Sequence, residues 1–220
     1  MKAVIFDMDG VLVDTEPIYL EIARAVAARF GVDVPLDALH ALIGIPALPM
    51  WESLCERYEI PAEPETLVRV ESQAQIERLT TLDRIPTVHG VGDLLAALLA
   101  DGVPMAIASS SPRVIVDLIV ARQGIRPYFG AIISGQDVAR GKPAPDIFLK
   151  AAVGLGVRPE VCVVIEDSPH GIAGAQAAGM IPIGFVNPGS GNLGRLTTDW
   201  RVDSWNAEAI AAVRAFVAGK

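Results

Sequence analysis

The chain has 220 residues, a formal net charge of −8 and a hydrophobic content of 51%. That content excludes a disordered chain, and the length suits one sizeable core with room for an inserted subdomain. The acidic balance argues against nucleic acid as a partner, but a metal ion and a lysine can reverse the field locally for a small anion.

No apolar stretch runs for the roughly 18 residues that a membrane span needs. The N-terminus lacks a basic region followed by an apolar segment and a cleavage site, so no signal peptide is read. The expectation is a cytoplasmic protein with no membrane partner. Cys55 and Cys162 are far apart, and Cys162 lies in an apolar run, which predicts buried free thiols with no disulfide.

In chain order, the first apolar run, 3–6, reads as a buried strand. It ends in Asp7-Met8-Asp9-Gly10, and Gly10 lets the backbone turn away. A strand end holds a side chain rigidly. Two carboxylates two residues apart can bind a hard cation there and still divide chemical roles.

Residues 15–87 carry no strand pattern; helices are expected near 17–30, 36–43, 49–58 and 64–79. Thr15 or Glu16 can cap the first, with Pro17 in its opening turn and Gly31 beyond its end. An all-helical block at this place predicts an inserted cap, with hinges near 13–16 and 85–90. The division is an α/β core of residues 1–14 and 88–220 and a helical cap of 15–87.

After the block, strands are expected at 104–108, 131–133, 162–165, 181–186 and 201–202. Helices are expected at 91–100, 112–123, 145–155, 169–178 and 207–218. This alternation predicts an α/β fold, a Rossmann-like parallel sheet with helices on both faces. In such a sheet ligands bind beyond the carboxyl ends of the strands. Three of those ends carry polar residues: Asp7 and Asp9, then Ser109-Ser110-Ser111, then Glu166-Asp167-Ser168. A lone Lys142 precedes another helix in Gly141-Lys142-Pro143-Ala144-Pro145-Asp146.

The ordered set Asp7-x-Asp9-Gly10, Ser109, Lys142 and Glu166-Asp167 resembles the four motifs of the haloacid-dehalogenase-like hydrolases. The resemblance covers essentially the whole chain. The helical block stands where that family carries its helical cap. The run Asp-Ser-Pro-His-Gly-Ile-Ala-Gly-Ala-Gln-Ala-Ala-Gly-Met, 167–180, is similar to the subgroup containing sugar phosphatases and β-phosphoglucomutase.

The resemblance implies a role for each residue. Asp7 would attack phosphorus and form an aspartyl-phosphate, and Asp9 would protonate the leaving oxygen and then activate water. Mg²⁺ would be held by Asp7, the Asp9 backbone carbonyl and Asp167, with Glu166 supporting it through water. Lys142 and the Ser109 hydroxyl would bind the phosphate, with backbone N–H groups at a helix start.

Each residue alone has a plainer reading. Asp-x-Asp-Gly is often a polar turn, serine often ends a strand, an isolated lysine is usually solvated, and acids favour helix starts. Four such elements in order outweigh those readings. His40, His89 and His170 lack metal-ligand spacing and are read as outside the chemistry, and Trp51 and Tyr58 as cap core.

Within the family, Asp9 speaks against a dehalogenase, which needs no acid there. The absence of lysine from 15–82 speaks against a phosphonatase. A β-phosphoglucomutase needs a second phosphate site in its cap. Where that enzyme carries a histidine and an arginine, this chain has Tyr19 and, three residues after Gly44, Ala47. Arg57, Arg69, Arg78 or Arg84 could supply a cap cation by another route. The mostly apolar loop 43–51 suggests a substrate whose second end is neutral.

The expectation is a Mg²⁺-dependent phosphatase acting on a small phosphorylated metabolite, a sugar or polyol monophosphate. The alternative is a phosphosugar mutase, and a distant one is a non-catalytic phosphate-binding protein. The sequence sets no oligomeric state.

Overall fold

The computed structural model describes residues 2–43, 45–187 and 196–219. Gly44 of the cap loop lies outside them. Strand β1 (Ala3–Phe6) is followed by four helices, α1 (Glu16–Arg29), α2 (Leu36–His40), α3 (Ala47–Tyr58) and α4 (Pro64–Thr81). An alternating series comes next: α5 (Val91–Ala100), β2 (Met105–Ser109), α6 (Arg113–Gln123), β3 (Ala131–Ser134), α7 (Asp146–Leu155), β4 (Cys162–Glu166) and α8 (Pro169–Ala177). Strands β5 (Ile181–Phe185) and β6 (Arg201–Val202) and helix α9 (Ala207–Ala218) complete it.

The strands pair in parallel in the order β3-β2-β1-β4-β5-β6. The order reverses direction between β1 and β4, and a crevice opens beyond the strand ends at such a point. Strands β2, β3 and β4 each run one residue further than the apolar pattern predicts. Ser109 and Ser134 are paired with each other, and Glu166 with Gly184.

Alternate strand residues serve the two faces of the sheet. Val4, Phe6, Ile107, Val163, Ile165 and Phe185 pack with Leu94 and Leu98 of α5, Val116 and Ile119 of α6, and Val213 and Val217 of α9. Ala3, Ile5, Ala106, Ala108 and Val164 pack under Ile147, Phe148 and Ala151 of α7 and Ala175 of α8. Each fully buried Leu, Ile or Phe contributes about 1.5–3 kcal/mol, so the central strands are firmly anchored.

The inserted helices form a separate cluster in which Ile22, Val26, Leu39, Leu54 and Leu67 surround a fully buried Trp51. Helix α2 is shorter than predicted. The Leu39 and His40 carbonyls accept from Leu42 N and Ile43 N, three residues on, which ends the α-helical ladder. Helix α3 begins earlier than predicted, because Pro49 falls in its first turn, where a missing N–H leaves no bond unmade.

The end of α4 belongs to the sheet side instead. Leu79 joins the main core, and Arg122 of α6 donates to the carbonyls of Leu79, Thr80, Leu82 and Asp83 at 2.6–3.2 Å. The segments entering and leaving the helical block run side by side. Val13 bridges Thr87, and Asp14 N donates to Pro86 O at 3.0 Å. Both cysteines are free, Cys162 buried and Cys55 only half-buried. No helix among the described residues is long and apolar enough to cross a membrane.

Trp51 Nε1 donates to Glu71 Oε2 at 2.7 Å inside the helical block. Burial pushes the Glu71 carboxyl up from 4.5 to about 7, against the opposing effect of that hydrogen bond. The folded state therefore keeps a proton that the unfolded chain releases. Stability from this group is complete below about 4.5 and is lost as pH rises through about 7. Urea midpoints should show wild type losing stability relative to Glu71→Gln over that range, by up to roughly 3 kcal/mol. A difference that stays constant with pH contradicts a proton held at Glu71.

Candidate active site

The site is built where β1 and β4 end side by side. Asp7 N donates to Ile165 O at 2.9 Å, so Asp7 continues the ladder one residue beyond β1. Glu166 is the last residue of β4 and fully buried, and Asp167 follows it, 4% exposed. Lys142 reaches in from the loop before α7. Its Nζ donates to Asp7 Oδ1 and Glu166 Oε1, both at 2.5 Å, and lies 5.1 Å from the Phe148 ring centroid. The other Glu166 oxygen accepts from Ser168 N and Ser168 Oγ at 2.9 Å. A buried ammonium between two carboxylates is held in its charged form, and the Lys142 pKa lies above its ordinary value because their attraction outweighs burial.

The acids outnumber the base. Burial pushes Asp7 up to about 8; Lys142 opposes this, while the charges of Glu166 and Asp9 add to it. Asp167 is held well above the usual carboxylate range by burial and then by the charges of Glu16, Glu166 and Asp7. One carboxylate oxygen from each of Asp7, Glu166 and Asp167 falls within 4.8 Å of the others.

This all-oxygen donor set with surplus negative charge fits a hard divalent cation. Glu166, already engaged by Lys142 and Ser168, stands behind Asp7 and Asp167 in that set. Two glycines make room for it. A Cβ on Gly10, whose φ is +78°, would lie 2.1 Å from Asp167 Oδ2, and one on Gly171 would lie 1.8 Å from Glu166 Cδ.

Asp9 is fixed from two sides. Thr15 Oγ1 donates to Asp9 Oδ1 and Ser111 Oγ to Asp9 Oδ2, each at 2.7 Å. Thr15 stands at the N-cap of α1 but makes no side-chain cap bond, contrary to expectation. Its backbone is helical there, φ −94° and ψ −15°, and not the extended conformation that aims a capping oxygen at the first-turn N–H groups. Asn187 Nδ2 donates to Gly10 O at 3.0 Å and pins the turn beyond Asp9.

The structure thus brings Asp7, Asp9, Lys142, Glu166 and Asp167 together around one cavity of about 140 Å³. Ser109 is not on its wall: the side chain is fully buried and its Oγ accepts from Ser111 N at 3.1 Å. Ser110 lines the cavity in its place, as does His170. Glu16 was expected only as a cap. It lies on the same wall with a buried Oε2 that has no partner among the described residues, and burial with the charges of Asp9 and Asp7 pushes it up to about 8. Thr15, Glu16 and Ser111 carry no motif of their own, and only their contacts with the Asp9 region mark them.

A second cavity of about 350 Å³ shares Asp9, Glu16, Ile43, Ile45, Pro46 and Ser110 with the first and extends between the inserted helices. Tyr19, Ala47 and Met50 lie on it, whereas Arg57, Arg69, Arg78 and Arg84 do not. None of its described lining residues is Lys, Arg or His. Trp51 is also absent from both linings, in keeping with its place in the helical core.

A parallel sheet with a lysine-clamped acidic cluster at its switch point, and helices inserted after the first strand, defines a class of Rossmann-like enzymes acting beyond the strand ends. Within that class the chain belongs to the haloacid dehalogenase-like hydrolases, whose family model matches residues 1–179.

Two curated relatives lie on either side of the question of activity. The chain is 34% identical to fructose-1-phosphate phosphatase YqaB of Escherichia coli over 183 residues, 80% of this chain and 92% of that one. It is 36% identical to the beta-phosphoglucomutase of Bacillus subtilis over 202 residues, 88% of this chain and 87% of that one. A solved haloacid dehalogenase family hydrolase from Deinococcus radiodurans R1, with bound phosphate and sodium, matches with a TM-score of 0.73. Its identity is 31%, covering 100% of this chain and 96% of that one. In class, the chain is a phosphoric monoester hydrolase.

Gly171→Ala tests how the cluster is supported. The added methyl must displace the Glu166 carboxylate, and Lys142 with it, while alanine suits the interior of α8. Turnover of p-nitrophenyl phosphate should fall by about 10²-fold, as expected for a misplaced catalytic group, with far-ultraviolet circular dichroism unchanged. Unaltered turnover in the folded variant contradicts this support.

Proposed function

We propose that this protein is a Mg²⁺-dependent phosphatase that hydrolyses a small sugar or polyol monophosphate through an aspartyl-phosphate on Asp7. The observation that carries the reading is the larger cavity. It opens from Asp9, where the leaving group must sit, and no cation lines it among the described residues. A second phosphate there would meet Glu16 and Glu71 with no partner for its charge.

The chain's own residues support each step. Lys142 holds Asp7 Oδ1 and offsets repulsion between the Asp7 carboxylate and the incoming phosphate. Asp7 attacks phosphorus as the bond to the leaving oxygen breaks, and Asp9 delivers the proton to that oxygen. Thr15 and Ser111 keep Asp9 oriented for this transfer. Asp9 then takes a proton from water as its oxygen attacks the phosphorus, which releases phosphate and restores Asp7.

Ser109 and the backbone around Ser110 are assigned to the phosphoryl oxygens, Ser109 acting from beneath the wall that Ser110 forms. Bound Mg²⁺, held by Asp7, the Asp9 backbone carbonyl and Asp167, would supply charge neutralisation at the phosphate. Glu166 would position Lys142 and the cation set. Residues 15–87 are proposed to act as a cap on the core of 1–14 and 88–220, a reading supported by the paired segments at Val13 and Thr87.

Asp7→Asn should abolish steady-state turnover while the fold persists, and beryllium fluoride with magnesium should be trapped on Asp7 of wild type. Substantial activity in the pure variant removes Asp7 from this role.

The alternative mutase reading is tested by incubating the enzyme with β-glucose 1-phosphate and a trace of β-glucose 1,6-bisphosphate. A phosphatase should release free phosphate with no need for the bisphosphate, and EDTA should stop it. Rapid formation of glucose 6-phosphate with little free phosphate overturns the reading.

A further inference from the structure

One buried acid on the cap side of the larger cavity has more acceptor capacity than its surroundings use. Glu71 of α4 is 5% exposed and lines that cavity with Ser72 and Gln75. These three residues border only the larger cavity, whereas Asp9 and Glu16 border both and mark the phosphate side. Glu71 Oε2 accepts from Trp51 Nε1 at 2.7 Å. Among the described residues, Glu71 Oε1 receives only Gln75 Nε2, at a long 3.4 Å.

Holding Trp51 does not require a carboxylate. An indole has one N–H, and a carboxylate offers about four acceptor sites. Above about pH 7, where Glu71 is ionised, a buried carboxylate with unused capacity is unfavourable unless another donor completes it. Apolar residues such as Leu39, Leu42 and Val68 line the same cavity. A mostly apolar pocket with a few convergent polar groups is the ordinary form of a small-ligand site.

We infer that Glu71 is a specificity-determining residue, its carboxylate accepting a hydrogen bond from a hydroxyl on the leaving group, at the end away from the phosphate. This rests on the sugar or polyol monophosphate reading above and names the residue that would enforce it. The same carboxylate would repel a second phosphate, so one group favours the hydroxylated leaving group and opposes the bisphosphorylated one.

The test is steady-state kinetics at about pH 8 on p-nitrophenyl phosphate, fructose 1-phosphate and glucitol 6-phosphate. The first has no hydroxyl on its leaving group. In Glu71→Gln the amide oxygen can still accept from Trp51, but the second position becomes a donor. The kcat/KM for the better of the two hydroxylated substrates should fall by about 10–100-fold, chiefly through KM, as for a lost hydrogen bond to a charged group. That for p-nitrophenyl phosphate should stay within about twofold.

Should Glu71→Gln fold poorly, Trp51→Phe compared with Trp51→Phe/Glu71→Gln reads the same difference, because the indole donor is then gone from both. Equal loss on all substrates, or no loss on any, overturns the assignment and leaves Glu71 as a fold-stabilising partner of Trp51. A wild type that cleaves p-nitrophenyl phosphate but neither hydroxylated substrate overturns the substrate reading, and this inference with it. A wild type that prefers them without selective loss in the variant overturns only this inference.

Discussion

The ammonium of Lys142, buried between Asp7 and Glu166, is the interaction on which the site depends. Two carboxylates could not sit at the ends of adjacent buried strands without it, because burial and mutual repulsion both disfavour their charge. Removing one member of such a set leaves an uncompensated buried charge, which is far worse than never having placed the set. The surroundings meet this demand in detail. Ser168 satisfies the far oxygen of Glu166, Gly171 leaves the space that carboxylate fills, and Gly10 leaves the space beside Asp167. One cation does not balance all the acids present, and that imbalance makes the centre suited to a hard metal ion.

Asp9 is held differently from Asp7. Asp7 is locked to the sheet through Ile165 and Lys142. Asp9 is held by Thr15, on the segment leading into the helical block, and by Ser111, beyond β2. The acid therefore sits at the seam between core and inserted helices. A displacement of those helices would act directly on one of its two hydrogen bonds. Arg122, gripping four carbonyls at the end of α4, ties the same block to the core at its other end.

The relatives include both a phosphatase and a mutase at nearly equal identity, which is what a shared centre predicts. Both activities can begin with the same attack on phosphorus. The walls of the larger cavity come mostly from the inserted helices, with Asp9, Ser110, Ser111 and Pro112 on the core side. Here the walls are apolar and acidic, with Tyr19, Ala47, Met50, Glu71 and Gln75 in place of any cation among the described residues. On the proposed reading, the strand ends would carry the chemistry and the helical block the specificity.

The sequence by itself determined the sheet, the place of the helical block and the acid–lysine set. These arise from short-range signals: apolar runs of strand length, helix periods bounded by proline and glycine, and polar residues at predicted strand ends. Helix limits at α2 and α3 depended on which carbonyl each turn took, a matter of neighbours as much as of residue type. Only the tertiary structure decided that Ser110 and not Ser109 faces the cavity, since both come after the same apolar run. It alone showed that the Thr15 hydroxyl donates to Asp9 and makes no cap bond, and that Glu16 and Ser111 reach the site. Each of those residues is placed by packing between segments distant in the chain. A side chain's partner across such a gap is set by the geometry of the fold, and no local pattern encodes it.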